Sequence, residues 1–274
     1  MEKLIITAAI TGGRISREMT PYIPITPEEI IQSAYECWQA GAAIAHIHVR
    51  DPQTQQGTQD VEIFRQVVEP LREKTDLILC LTTSGIPGRN IPTEDRLAPV
   101  DLKPELASFD PGSFNIGAGV YINSPEFLDR AAEKMSANRV KPEFEIFDLG
   151  MIISTLRLKD QGKIDEPLHF QFVMGTRWGA PATAKALLHF LEHIPPSSTW
   201  SIIGAGRWQL PMSMMALAMG GHIRVGLEDS LYYAKGVLAE TNARFVERIV
   251  RISREYGREI ASADEAREIL SLNS

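Results

Sequence analysis

The sequence predicts an α/β protein, a single-domain (β/α)8 barrel spanning residues 1–274. Three observations carry this. Eight short apolar runs recur, each followed by a polar loop, with helical patterns between them; such alternation builds parallel strands with helical crossovers. The 274 residues suit a barrel, which takes roughly 250. The loop after the first run, Thr11-Gly12-Gly13-Arg14, lacks the GxGxxG spacing by which an open doubly wound sheet advertises a nucleotide site. Gly117-Ala118-Gly119 reads only as a flexible loop, and no linker divides the chain.

The predicted strands are Leu4–Ile10, Ala43–His48, Leu77–Thr82, Leu106–Ser108, Phe144–Phe147, His169–Met174, Thr199–Ile203 and Ile223–Leu227. The fourth has the least support, being short and surrounded by Pro and Gly. Thr26-Pro27-Glu28-Glu29 opens a helix with an N-cap, a proline at the first helical position and acids in the first turn. That helix runs to about Ala40, with Gly41 ending it. Val61–Lys74 has helical periodicity, and Ser124-Pro125-Glu126 opens another helix. Ala182–His193 and Asn242–Tyr256 are amphipathic, and Ser262 opens a last helix.

The apolar fraction of 44% and charged fraction of 23% are those of an ordinary globular protein. A formal charge of −7 argues against nucleic-acid binding, although local arginines can still receive an anionic small molecule. Cys37 falls in a helix and Cys80 in a strand, far apart, which predicts buried thiols and no disulfide. Apolar runs are too short to span a bilayer, and the N-terminus runs straight into a strand pattern. A cytoplasmic location is expected.

In a barrel the site lies at the C-terminal strand ends. The second strand ends in His46-Ile47-His48-Val49-Arg50-Asp51. Histidines at i and i+2 of a strand share a face, so His46 and His48 read as half of a metal or catalytic site; the other reading is ordinary polar residues at the rim of the sheet. The eighth strand ends in Arg224-Val225-Gly226-Leu227-Glu228-Asp229. Strands two and eight flank strand one in a closed barrel, roughly 10 Å apart at ~4.8 Å per step. Glu228 is therefore within reach as a third ligand; its other reading is a rim carboxylate paired with Arg224 or Arg50. Two His and one carboxylate suit zinc and several other divalent metals. Asp229 is either a base oriented by Arg224 or its salt-bridge partner. Asp51 is a loop cap in preference to a carboxylate orienting a histidine. Thr82 through Gly88 offer hydroxyls and backbone N–H groups to an anion. Arg177-Trp178 and Arg207-Trp208 each set an arginine beside a tryptophan, with rim salt bridges as the default for both arginines.

Four segments together resemble the β-keto acid cleavage enzymes: Thr7-Ala8-Ala9-Ile10-Thr11-Gly12, Pro24-Ile25-Thr26-Pro27-Glu28-Glu29, the HxHVRD motif at 46–51 and the RVGLED motif at 224–229. The resemblance covers nearly the whole chain. It implies a zinc-dependent barrel, usually a homotetramer, in which a β-keto acid and acetyl-CoA give acetoacetate and a new acyl-CoA. It implies His46, His48 and Glu228 as metal ligands, Asp229 as the base assisted by Arg224, and Thr82, Gly85 and Ser108 as substrate contacts. Threonine at 82 replaces a common serine. Arg14 is the larger departure, because the founding lysine-fermentation enzyme has an acidic residue there to meet an ammonium group. Arg14, or Arg17 nearby, is expected to select an anionic or neutral polar tail.

Two other readings compete. Metal-dependent amidohydrolases also use HxH in a barrel, but on the first strand and with further histidines. Here His169 and His222 fall near strand starts, and His189 and His193 on an outer helix. The remaining reading is a non-catalytic barrel that binds a metal or ligand.

Overall fold

The computed structural model describes residues 2–85 and 91–272. Most of its helices begin where a side chain caps them. The Thr26 hydroxyl accepts the Glu29 N–H, the Glu29 carboxylate accepts the Thr26 N–H, and Gly41 closes helix α1 (Pro27–Ala40) at φ 108°. Ser262 and Glu265 repeat the reciprocal cap at the helix Ala263–Leu270.

Eight parallel strands close into a barrel: β1 (Ile6–Ala9), β2 (Ile44–Ile47), β3 (Ile78–Leu81), β4 (Leu106–Phe109), β5 (Lys141–Ile146), β6 (His169–Met174), β7 (Thr199–Gly204) and β8 (His222–Val225). Neighbours follow chain order, and β8 pairs with β1 through Ile6–Ile223, Thr7–Arg224 and Ala8–Val225. The expected (β/α)8 barrel is what the chain forms, with β2 and β8 flanking β1. The remaining helices are α2 (Val61–Lys74), the short α3 (Thr93–Leu97), α4 (Pro125–Asn138), α5 (Leu149–Asp160), α6 (Ala184–Leu191), α7 (Gln209–Met219), α8 (Ala243–Tyr256) and α9 (Ala263–Leu270).

The barrel interior divides by chemistry. Ile5, just before β1, and Ile44, Ile78, Cys80 and Leu106, from β2 to β4, pack with Ala266 and Leu270 of α9. That helix covers the N-terminal end of the barrel, where Leu4 exchanges hydrogen bonds with Glu259 and Ala261. Strands β5 to β8 instead carry buried Glu143, Glu145, His169, Gln171, Ser201, His222 and Arg224. Alternation along each strand turns every second residue to one face, and register sets Glu143 beside His169 and Glu145 beside Gln171.

Several expectations are corrected. Strand β5 begins at Lys141, not Phe144, and β8 ends at Val225, not Leu227. Gly117, at φ 59°, turns an antiparallel hairpin of Phe114–Ile116 with Gly119–Tyr121, so that segment is not merely a flexible loop. Helices α5 and α7 lie in segments without a readable helical period. In α7, methionines and a proline spread apolar character all round, and in α5 Met151-Ile152-Ile153 resembles a strand. Ile86-Pro87-Gly88, read as part of an anion-binding loop, lie outside the described residues. Cys37 and Cys80 are buried and free, as expected. Among the described residues no helix is long and apolar enough to cross a membrane.

Candidate active site

A cavity of about 250 Å³ opens at the C-terminal strand ends, lined by residues that include Arg14, His48, Gly85, Asp110, Tyr121, Glu145, Arg224, Glu228 and Asp229. Strand β2 places His46 in the barrel interior, and His48 follows one residue past its end. Their Nε2 atoms lie 3.6 and 3.4 Å from the same oxygen, Glu228 Oε1, and one donor atom from each of the three residues falls within 4.8 Å of the others.

Glu228 reaches this point because β8 and β1 come unusually close. A Cβ on Gly226 would stand 2.0 Å from the Ala9 carbonyl oxygen, and one on Gly12 would stand 2.5 Å from Glu228 Cγ. Only glycine fits at either position. Asn242 braces the two loops: its Oδ1 accepts the Leu227 N–H at 2.7 Å and its Nδ2 donates to the Ile10 carbonyl at 2.9 Å.

The donor set fits a divalent metal. Glu228 Oε2 is buried without a hydrogen-bond partner, a costly state that a cation would relieve. Burial first, and Arg224 second, hold the His46 imidazole neutral down to about pH 3. Burial pushes the Glu228 carboxyl up, but Arg224, His48 and His46 outweigh it and hold it well below the usual range. Neutral imidazole and ionised carboxylate are the metal-binding forms.

Arg224 organises the other side. Fully buried, its guanidinium donates to Asp229 Oδ2 at 3.0 Å and Oδ1 at 3.2 Å, Glu228 Oε1 at 2.8 Å, Glu145 Oε1 at 2.9 Å and Gln171 Oε1 at 3.0 Å. Burial raises the Asp229 pKa to about 6 against the pull of Arg224. Ionised at neutral pH, that carboxylate is a stronger base than an ordinary aspartate. Glu228 and Asp229 each pair with Arg224, and each also lines the cavity. Arg50 pairs with neither, because it donates to the carbonyls of Thr11, Gly12 and Gln55. Asp51 caps its own loop through the N–H groups of Gln53 and Thr54.

Other predicted residues separate. Arg14 stands at the cavity and, among the described residues, has no carboxylate partner; it lies against Gly117. Arg17 is bound to Glu29 at 2.6 and 2.7 Å and lies off this cavity. Gly85 lines the cavity, and its N–H donates to the Tyr121 hydroxyl. Thr82 and Ser108 are buried and do not line it: the Thr82 hydroxyl accepts the Ser84 N–H and the Ser108 hydroxyl accepts the Thr83 N–H. Arg177 and Arg207 make no rim salt bridge among the described residues; each stacks on its neighbouring tryptophan, at 4.9 and 4.8 Å. His169 and His222 start their strands, and His189 and His193 sit together on or just beyond α6. None of these four joins the His46–His48 pair as an amidohydrolase site would require.

Two cavity carboxylates went unread. Asp110 directly follows β4, where the strand-end rule points, but the strand was expected to stop at Ser108. Glu145 was hidden because Lys141-Pro142-Glu143-Phe144-Glu145 breaks the apolar run; its alternation nevertheless sets Glu143 and Glu145 on one face.

A closed barrel whose C-terminal cavity gathers His48, Glu228 and an arginine-held Asp229, with His46 directly behind them, defines the class as a (β/α)8 enzyme. The sequence matches the profile of the beta-keto acid cleavage enzymes over residues 3–272. It is 45% identical over 274 residues to the 3-keto-5-aminohexanoate cleavage enzyme of Fusobacterium nucleatum, covering 99% of both chains. It is 38% identical over 274 residues to the 3-oxoadipate:acetyl-CoA acetyltransferase of Cupriavidus necator, covering 98% of this chain and 95% of that one. The chain belongs to the β-keto acid cleavage enzyme family. Among solved structures, ObcA in a ternary complex with a C4-CoA adduct and oxalate superposes with a TM-score of 0.79 at 23% identity, covering 92% of this chain and 68% of that one, a likeness of fold.

Proposed function

We propose that this β-keto acid cleavage enzyme takes a keto acid with an anionic or neutral polar tail, with His46, His48 and Glu228 holding a divalent metal, Asp229 as base and Arg224 orienting it. The reaction joins a β-keto acid and acetyl-CoA and yields acetoacetate and the acyl-CoA of the remaining fragment. The metal, zinc in this reading, supplies a Lewis acid for the keto and carboxylate oxygens when bound. Asp229 removes a proton from the carbon between keto and carboxylate groups. The carbanion attacks the acetyl thioester, CoA passes to the acyl fragment within the adduct, and carbon–carbon cleavage releases acetoacetate. The proton taken by Asp229 returns to that product carbon, so the carboxylate is regenerated. No covalent nucleophile is called for, and both cysteines are buried.

The tail preference rests on Arg14, a cation at the cavity with no carboxylate partner among the described residues. A tail ammonium would meet repulsion there, and a second carboxylate would be attracted. The relative named for 3-oxoadipate handles a keto acid with such a second carboxylate. Gly85 completes the substrate contacts from the cavity wall. Thr82 and Ser108 enter this reading as props of the loops beside it, through their bonds to Ser84 and Thr83. A homotetramer in the cytoplasm belongs to the same reading and is checked by light scattering and fractionation.

The observation that carries the proposal is the convergence of both Nε2 atoms on one Glu228 oxygen, next to the Arg224–Asp229 pair. The test is a panel of β-keto acids with acetyl-CoA, run on wild type, chelator-treated protein and His48→Ala. Acetoacetate should form in wild type and fall by about 100-fold or more in the other two, with zinc restoring the chelated protein. Hydrolysis without CoA would favour the amidohydrolase reading, and no turnover a binding role.

A further inference from the structure

On the interior side of His46 lies a carboxylate that the cavity does not use. Glu143 of β5 is fully buried. Its Oε1 accepts the Cys80 thiol from β3 at 3.4 Å. Its Oε2 faces His169 Nε2 of β6 at 3.6 Å and has no hydrogen-bond partner. His169 is tied on its far side, with Nδ1 2.8 Å from the Thr199 hydroxyl. One donor atom from each of His46, Cys80 and Glu143 lies within 4.8 Å of the other two. His46 turns Nε2 toward Glu228, and its Nδ1 is buried with no partner. Two neighbouring side chains, each with a donor atom within 4.8 Å of the other's, therefore each keep an orphan atom: an imidazole nitrogen on His46 and a carboxylate oxygen on Glu143.

We propose that Glu143 is the positioning residue of His46: it accepts the Nδ1–H, directly or across one bridging water, and so fixes the tautomer that frees Nε2 for the metal. The inference rests on the metal reading of His46, His48 and Glu228. A ligand histidine usually gives its second N–H to a carboxylate or carbonyl, which holds the ring plane and raises the basicity of the ligating nitrogen. Asp51, the sequence candidate for this role, is spent on its own loop. Cys80, His46 and Glu143 do not form a second metal site, because the thiol keeps its proton on Glu143 and His46 faces Glu228. The competing role for Glu143 is a core partner of His169 alone.

Zinc affinity and stoichiometry, read by competition with a chromophoric chelator, together with the visible spectrum of the cobalt-substituted protein, separate these roles. Glu143→Gln should bind one zinc 10- to 100-fold more weakly than wild type and shift the cobalt bands. Glu143→Asp should lose less, and Cys80→Ala should stay within about threefold of wild type because the carboxylate remains. Affinity within twofold of wild type and an unchanged cobalt spectrum in Glu143→Gln would overturn the inference; if that variant does not fold, the same result in Glu143→Asp does so. Wild type that binds no zinc, or His48→Ala that binds it equally well, defeats the metal reading itself and this inference with it. Tight binding in wild type, lost in His48→Ala but unchanged in Glu143→Gln, defeats only the role given to Glu143.

Discussion

Arg224 and Asp229 meet edge to edge, Nε 3.0 Å from Oδ2 and Nη2 3.2 Å from Oδ1. Two N–H groups of one planar fork fix the plane of the carboxylate, which a lysine ammonium does not do. The same guanidinium also holds Glu228 and Glu145. Arg224→Lys should therefore retain a charge but lose the aim of the base, lowering kcat by about 10- to 100-fold with a smaller change in KM. Arg224→Met strands the buried Glu145 and the partly buried Glu228 and Asp229 and should destabilise the protein by about 3 kcal/mol, read as a fall in Tm. Wild-type kcat in the lysine variant would remove the positioning role.

The elements that carry this pair show what a sequence can disclose. The barrel was legible because its helices announce themselves through caps such as Thr26 with Glu29, and its strands through apolar runs. His46 and His48 were legible because strand alternation is a fixed period. Glu228 followed from topology, since closure makes β8 the neighbour of β1. The polar interior was not legible. Glu143, Glu145 and Gln171 look like surface residues until closure turns their face inward to Arg224 and His169. Arg14 and Arg17 could not be told apart by position either; only the fold brings Glu29 to Arg17 and leaves Arg14 at the cavity.

That separation makes Arg14 the specificity switch to test. Arg14→Glu should invert the preference between keto acids with anionic and cationic tails, changing the ratio of their kcat/KM values by roughly tenfold or more at low salt. The effect should shrink at high ionic strength, because Arg14 is exposed. Arg17→Glu, which breaks only the Glu29 pair, should leave the ratio unchanged. An unaltered ratio in Arg14→Glu would sink the assignment of the tail subsite.

Asp110 predicts a pH dependence of stability. Burial raises its pKa from 3.8 to about 6, with Arg96, the Ser84 hydroxyl, His48 and Arg224 pulling the other way. Among the described residues its Oδ2 accepts only the Ser84 hydroxyl, at 3.3 Å, and Oδ1 is without a partner. Burial first, and its charge in turn, push the Tyr121 hydroxyl and the Glu145 carboxyl up. The unfolded chain releases this proton near pH 4, whereas the folded chain keeps it until about pH 6. Between those values the native state binds more protons, so stability falls as pH rises, and the cost, on the order of 2–3 kcal/mol, is fully present above about pH 6. Asp110→Asn keeps an acceptor for Ser84 and removes the titration. It should raise Tm relative to wild type at pH 8, with the gain shrinking toward zero as pH falls below about 4. Thermal melts of both proteins across pH 4–8 check this. A difference in Tm that stays constant across that range would mean that Asp110 does not carry its charge at this cost.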